Sequence, residues 1–185
     1  MRALLIVVIL QLIMSLAWSM PAEVLIIRHA EKPEQGPNLS DQGWLRAQKL
    51  PVLFHERSEF LDNGQPTALF AMKPDHVGGS LRAIQTLHYV SEDLNKTIVT
   101  NFIRDDYNSL VSDIKINSQY NKKTVLICWE HKVILDIARA FGIKNPPNWP
   151  SSQFDRVWKI KLDQNGEISS FADLPQRLLT GDSLN

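Results

Sequence analysis

The chain has 185 residues, of which 44% are hydrophobic and 22% charged, with 8 Gly, 10 Pro and a single Cys; this is the composition of one folded globular domain and excludes a disordered tail, a collagen-like repeat or a coiled coil. Twenty Lys and Arg balance twenty Asp and Glu, so no global basic field exists to hold a nucleic-acid backbone, and any anion site must be assembled locally. The lone Cys128 excludes an internal disulfide and a multi-thiolate zinc site, and its apolar neighbours mark a buried, inert thiol.

At the N-terminus Arg2 precedes an apolar run over residues 3–10, then Gln11 and a second apolar stretch to Trp18, with Ala17 and Ser19 as the small residues of a cleavage site. The pattern predicts a secretory signal over residues 1–19 and one exported domain over residues 20–185, periplasmic or secreted; an uncleaved N-terminal membrane anchor is the alternative. A permanent span wants about 20 apolar residues, so no stable span is expected once the signal is removed. Sequons at Asn38 and Asn95 matter only in a glycosylating host.

The continuous apolar run of residues 23–28 suits a strand buried on both faces. Ser40 is placed to cap a helix through Trp44, Leu45, Ala47 and Leu50, which Pro51 kinks or divides. A strand over residues 67–71 follows, then a helix opened by Ser80 and carrying Leu81, Ile84, Leu87 and His88, and a short strand over residues 97–100. Asp105 or Asp106 caps a helix with Leu110, Val111 and Ile114, and residues 124–129 form a second buried strand. Val133, Ile134, Ile137, Ala138 and Phe141 recur at helical spacing after His131, with Gly142 as the stop. Alternation over residues 156–162 and 168–171 around Asn165-Gly166 predicts a C-terminal hairpin. Strands alternating with helices predict a single α/β domain: an open, mostly parallel sheet with helices on both faces.

Ligands bind beyond the carboxyl ends of the strands in such sheets, which places Arg28-His29 and Glu130-His131, each closing a buried strand, on one rim. A guanidinium beside an imidazole there holds an anion against a nucleophilic nitrogen. Arg82, near the start of a helix, adds a second guanidinium where helical N–H groups also favour anions. His55, His76 and His88 show no metal-ligand spacing and are read as surface, loop or packing residues. Lys32 and Lys132 flank the two motifs, and Trp149, Phe154 and Trp158 are read as packing a lid or a sheet edge.

These pieces, taken in order, resemble the histidine phosphatase superfamily, which includes the phosphoglycerate mutases. Arg28-His29-Ala30 is similar to its Arg-His-Gly signature, with Ala where Gly is commoner. Residues 39–43 through Ala47 resemble the opening of its first helix, Ser80-x-Arg82-Ala83-x-Gln85-Thr86 its second-arginine motif, and Glu130-His131 its late histidine. The later residues 154–158 and the terminal Leu178-Leu179-x-Gly181-Asp182 resemble small exported members. The resemblance implies a phosphoglycerate mutase-like fold and an exported phosphomonoesterase acting on a small-molecule or exposed phosphate ester, without metal or cofactor. It implies attack by His29 to form a phosphohistidine, with Arg28, Arg82 and His131 holding the phosphoryl oxygens. The proton donor is left among Glu31, Glu130, Asp105 and Asp106. The alternatives are a phosphate- or phospholigand-binding protein on the same scaffold and, third, a mutase.

Overall fold

The computed structural model describes residues 20–184, so the signal expected over residues 1–19 lies outside the described residues. Strands β1 (Glu23–Arg28) and β4 (Thr124–Trp129) are buried along their whole length, which is why each reads as a continuous apolar run: helices cover both faces. The six strands run in the order β3-β2-β4-β1-β5-β6, with β2 (Pro66–Ala71) beside β4 and the short β3 (Ile98–Val99) at the edge. Those four pair in parallel, while β5 (Arg156–Leu162) joins β1 antiparallel and turns back as β6 (Ile168–Pro175). The sheet is therefore mixed, a parallel core extended by a C-terminal hairpin. The hairpin runs past the expected residue 171 because Arg156 Nε donates to Asp173 Oδ1 at 2.7 Å across it, so pairing continues where the apolar alternation fades.

Helices α1 (Asp41–Lys49) and α3 (Arg82–Asp93) pack together, as do α4 (Tyr107–Ile116) and α5 (His131–Phe141). With right-handed crossovers, the strand order sends the first pair to one face and the second to the other. Pro51 divides the chain after α1: a 3-10 turn over Leu50–Val52 leads into the one-turn α2 (Leu53–Glu56). α5 buries the apolar stripe Val133, Ile134, Ile137, Ala138 and Phe141, and Gly142 closes it at φ +122°, a left-handed conformation that favours glycine. Cys128 is fully buried and burial pushes its thiol pKa up, so it stays a thiol. Among the described residues no helix is long and apolar enough to cross a membrane.

Two expected helix caps are absent. α3 starts at Arg82, two residues after Ser80, because Leu81 N–H donates to Pro37 O at 3.0 Å and holds the entry in a loop. Asp106 occupies the N-cap position of α4, yet its carboxylate accepts from Ile103 N–H at 3.3 Å, closing the preceding turn rather than the helix.

Ser40 does cap α1, accepting from Gly43 N–H at 3.2 Å, and its own N–H donates to Glu31 O at 3.0 Å. That second bond brings the helix down onto the chain leaving β1. A Cβ on Gly43 would stand 2.2 Å from Glu31 O, a backbone atom two residues past His29, so glycine is required there by close approach. Gly43→Ala is expected to lower the unfolding free energy by about 2 kcal/mol, the usual cost of overpacking against backbone, as read by urea titration.

Candidate active site

Register determines what meets at the top of the sheet. Arg28 of β1 lies opposite Trp129 of β4, and His29 N–H donates to Trp129 O at 3.0 Å, so His29 and Glu130-His131 leave the sheet side by side. β4 ends at Trp129, which frees Glu130 from the strand's alternation and lets it reach the same cavity as His29. That cavity, about 260 Å³, is lined by His29, Ser80, Arg82 and Glu130 together with Lys73 and Arg104.

His29 is nearly fully buried, and its Nδ1 lies 2.8 Å from Ala30 O. A carbonyl only accepts, so Nδ1 carries the proton and the lone pair is on Nε2. Burial, then the positive fields of Arg28, Arg82 and His131, push the ring's pKa down to about 4 despite the bond to Ala30. The ring is a neutral imidazole at physiological pH. Ala30 N–H donates to Thr86 Oγ1 at 2.8 Å, and Thr86 Oγ1 donates to Arg82 O at 2.7 Å, locking the turn after β1 to the first turn of α3. Ala30 does not adopt a positive φ, so the side chain that replaces glycine brings no strain.

Arg28 is next to His29 in the chain but is not among the residues that line the cavity. Its Nη1 donates to Ser151 O at 2.6 Å and Gln153 O at 3.0 Å, its Cζ lies 3.8 Å from the Phe154 ring centroid, and its buried Nε has no partner. Desolvation lowers its pKa to about 10, leaving it charged at neutral pH. Arg82 donates from Nε to Asn38 O at 3.1 Å and from Nη2 to Gly36 O. His131 opens α5 beside the cavity, and its pKa is lowered by burial first and by Arg28 next, with Glu130 opposing. Its Nδ1 lies 2.9 Å from Glu130 Oε1, close enough for charge attraction, but off the line of a hydrogen bond, so Nδ1 counts as unsatisfied.

The carboxylates divide. Glu130 faces the cavity between His131 and Arg104 Nε, the latter 3.3 Å away. Glu31 is taken up by Arg46: Nε donates to both carboxylate oxygens at 3.0 Å and Nη2 to Oε1 at 2.7 Å, while Arg46 also binds Asp182 and Gln176. It lies with Arg46 and Asp182 in a separate polar cleft of about 680 Å³, so it is a structural anion here and the expectation of a proton donor at Glu31 is not supported by its placement. Asp105 accepts from Arg104 Nη1 at 2.9 Å and Asp106 closes its turn; neither lines the His29 cavity.

Several residues around the site lie outside the motifs that carry Arg28-His29, Arg82 and Glu130-His131. Trp149 and Trp158 do pack together, with ring centroids 5.0 Å apart, but Phe154 leaves that cluster and covers Arg28 and His29, the latter at 6.1 Å. Its position two residues before the hairpin strand was the available cue. Arg104 and Lys73 arrive from the ends of β3 and β2 without any motif. His55 and His88 are exposed, on Asp93 and Trp44 respectively. Among the described residues no three His, Cys, Asp or Glu side chains are grouped so as to hold a metal ion.

No model of a protein family matches the sequence, and no curated protein is found to be related to it. Solved structures do match. The protein histidine phosphatase SixA, solved with tungstate, superposes with a TM-score of 0.59 at 15% identity, over 83% of this chain and 97% of that one. A protein of Agrobacterium tumefaciens designated a phosphohistidine phosphatase SixA gives 0.55 at 18% identity, over 83% and 99%. At these identities the likeness is one of architecture: the chain shares the fold of these two structures.

Proposed function

We propose that the protein is a phosphomonoesterase that works through a phosphohistidine on His29, and, from the apolar run after Arg2, that it is exported. The observation that carries the reading is the Nδ1 contact to Ala30 O, which presents a neutral Nε2 lone pair to a cavity whose other wall is cationic. Tungstate in the similar SixA structure is a tetrahedral oxyanion of the kind such a wall would hold.

In the first step Nε2 attacks phosphorus in line, the N–P bond forms, and the ester P–O bond breaks. Glu130, as the carboxylic acid, gives its proton to the departing alkoxide. Water then attacks the phosphohistidine, Glu130 takes its proton, the N–P bond breaks, and inorganic phosphate leaves. Arg82 and His131 offset charge on the equatorial oxygens. The unpartnered Arg28 Nε supplies a further donor next to His29. A phosphoryl dianion raises the His131 pKa by direct attraction, so that ring becomes a cation when substrate enters.

His29→Ala is expected to lower turnover of p-nitrophenyl phosphate at least about 10³-fold and to abolish the acid-labile phosphopeptide containing residue 29 after rapid quench. Undiminished turnover in that variant overturns the mechanism, and vanadate binding by a wild-type protein with no turnover leaves the phosphate-binding reading instead.

Glu130→Gln separates the acid from its rivals. Its kcat is expected to fall by about 10²-fold or more on alkyl phosphates and much less on p-nitrophenyl phosphate, whose leaving group needs no proton. Glu31→Gln, which removes the charge from a part-buried ion pair with Arg46, is expected to lower the unfolding free energy by roughly 2 kcal/mol while leaving the ratio of rates on the two esters unchanged.

The depressed His29 pKa sets the response to acid. Between its ordinary 6.5 and about 4 the unfolded chain binds a proton that the folded chain does not. Stability is therefore present above 6.5 and is lost as pH falls toward about 4, by roughly 3 kcal/mol over the full span. Chemical unfolding across that range is expected to show a shallower pH slope in His29→Ala, and kcat/KM of the wild type falls as Nε2 protonates.

A further inference from the structure

We infer that the Ser80 hydroxyl is a further catalytic donor of this site, hydrogen-bonding an equatorial phosphoryl oxygen while phosphorus passes between His29 Nε2 and the ester or water oxygen. The inference rests on the phosphatase reading, which puts the phosphoryl group at His29. Ser80 lines the cavity that also holds His29 and Arg82. Its Oγ is buried and has no hydrogen-bond partner among the described residues, whereas a serine at a helix entry ordinarily satisfies its hydroxyl on the first N–H groups of the helix.

The backbone around Ser80 explains why the hydroxyl stays open. The N-cap position of α3 belongs to Leu81, no side chain caps the helix, and Leu81 N–H goes to Pro37 O at 3.0 Å. On the other side Gly79 N–H donates to His76 O at 3.0 Å, closing a turn so tight that a Cβ on Gly79 would stand 3.0 Å from His76 O and 3.1 Å from Asp75 Oδ1. The chain is thus pinned one residue before and one residue after Ser80, and the reach of Oγ reduces to rotation about χ1. No bond holds the present rotamer, so turning the hydroxyl into the cavity breaks nothing.

The acceptors already on the wall do not claim it. Glu130 lies against Arg104 and His131, and Asp75 against His76, and neither accepts from Ser80. Arg82 spends Nε on Asn38 O and Nη2 on Gly36 O, which leaves the guanidinium only part of its donors for an anion. The transition state of phosphoryl transfer spreads charge over three equatorial oxygens, each able to accept more than one hydrogen bond. A hydroxyl without a partner in the empty site gives up no bond in order to meet them, the condition under which a donor lowers a barrier most.

Ser80→Ala separates a donor from a packing residue, because the variant loses an orphaned polar group as well as a ligand of the phosphoryl group. Its urea midpoint of unfolding is expected to rise, while kcat and kcat/KM on p-nitrophenyl phosphate fall together by about tenfold or more with little change in KM. Orthovanadate, which takes five ligands in the geometry of the transition state, is expected to bind Ser80→Ala at least about tenfold more weakly by isothermal titration, and inorganic phosphate less than about threefold more weakly. Unchanged kcat and vanadate affinity in Ser80→Ala, or equal losses for vanadate and phosphate, overturn the inference and leave the phosphatase reading standing wherever the wild type turns over. Selective loss of vanadate binding in a protein that hydrolyses no phosphate ester retains the Ser80 donor and overturns the phosphatase reading alone.

Discussion

The site depends on the pairing of β1 with β4. These strands are far apart in the chain, and nothing local makes Arg28-His29 and Glu130-His131 neighbours. The parallel ladder does so, with Arg28 opposite Trp129 and the His29 amide closing onto Trp129 O. A one-residue slip would turn every strand residue to the opposite face and carry His29 away from Glu130. Two fully buried strands resist that slip, because both of their faces are committed to helices. The core's contribution to function is therefore to fix the register.

Assembling cations on that rim has a cost, and the structure shows where it falls. Arg28 is almost fully buried with its Nε unpartnered, Ser80 Oγ is buried without a partner, and His131 Nδ1 is unsatisfied. Each such group typically opposes folding by about 1–3 kcal/mol. Among the described residues the other orphaned atoms, Glu23 Oε1 and Thr124 Oγ1, belong to register partners at the opposite ends of the same two strands. Elsewhere the fold is tightly satisfied: Arg46 draws Glu31, Gln176 and Asp182 together and so ties the C-terminal segment to the loop after β1. Stability from that cluster offsets donors left open beside His29, the division expected where a site must meet an anion with groups that have no partner before it arrives.

Much of this was legible in the sequence because it is local or periodic. Apolar runs gave the buried strands, Ser40 the start of α1 and Gly142 the end of α5; the strand-end rule pointed to Arg28-His29 and Glu130-His131, and a helix start to Arg82. What escaped had a tertiary origin. Glu31 looks like a catalytic carboxylate two residues from His29, but its partner Arg46 is reached only after α1 folds back on the loop through the Ser40–Glu31 bond. Ser80 has the composition of a cap, yet the contact of Leu81 with Pro37 delays the helix. Arg104 and Lys73 belong to no motif, and only the edge pairing of β2 with β3 brings them to the cavity.

Phe154 shows how distant packing reaches the reacting atoms. Trp158, inside β5, packs at a tilt against Trp149, and Trp149 Nε1 donates to Gln153 O at 3.0 Å. That same carbonyl accepts from Arg28 Nη1, so the aromatic pair fixes a loop whose oxygens hold the guanidinium and whose next residue covers it. Burial of Arg28 under Phe154 lowers the dielectric around its charge, which strengthens its field at His29 and helps keep that ring neutral. The antiparallel hairpin, added to an otherwise parallel sheet, is in this way part of the apparatus that sets the protonation state of His29.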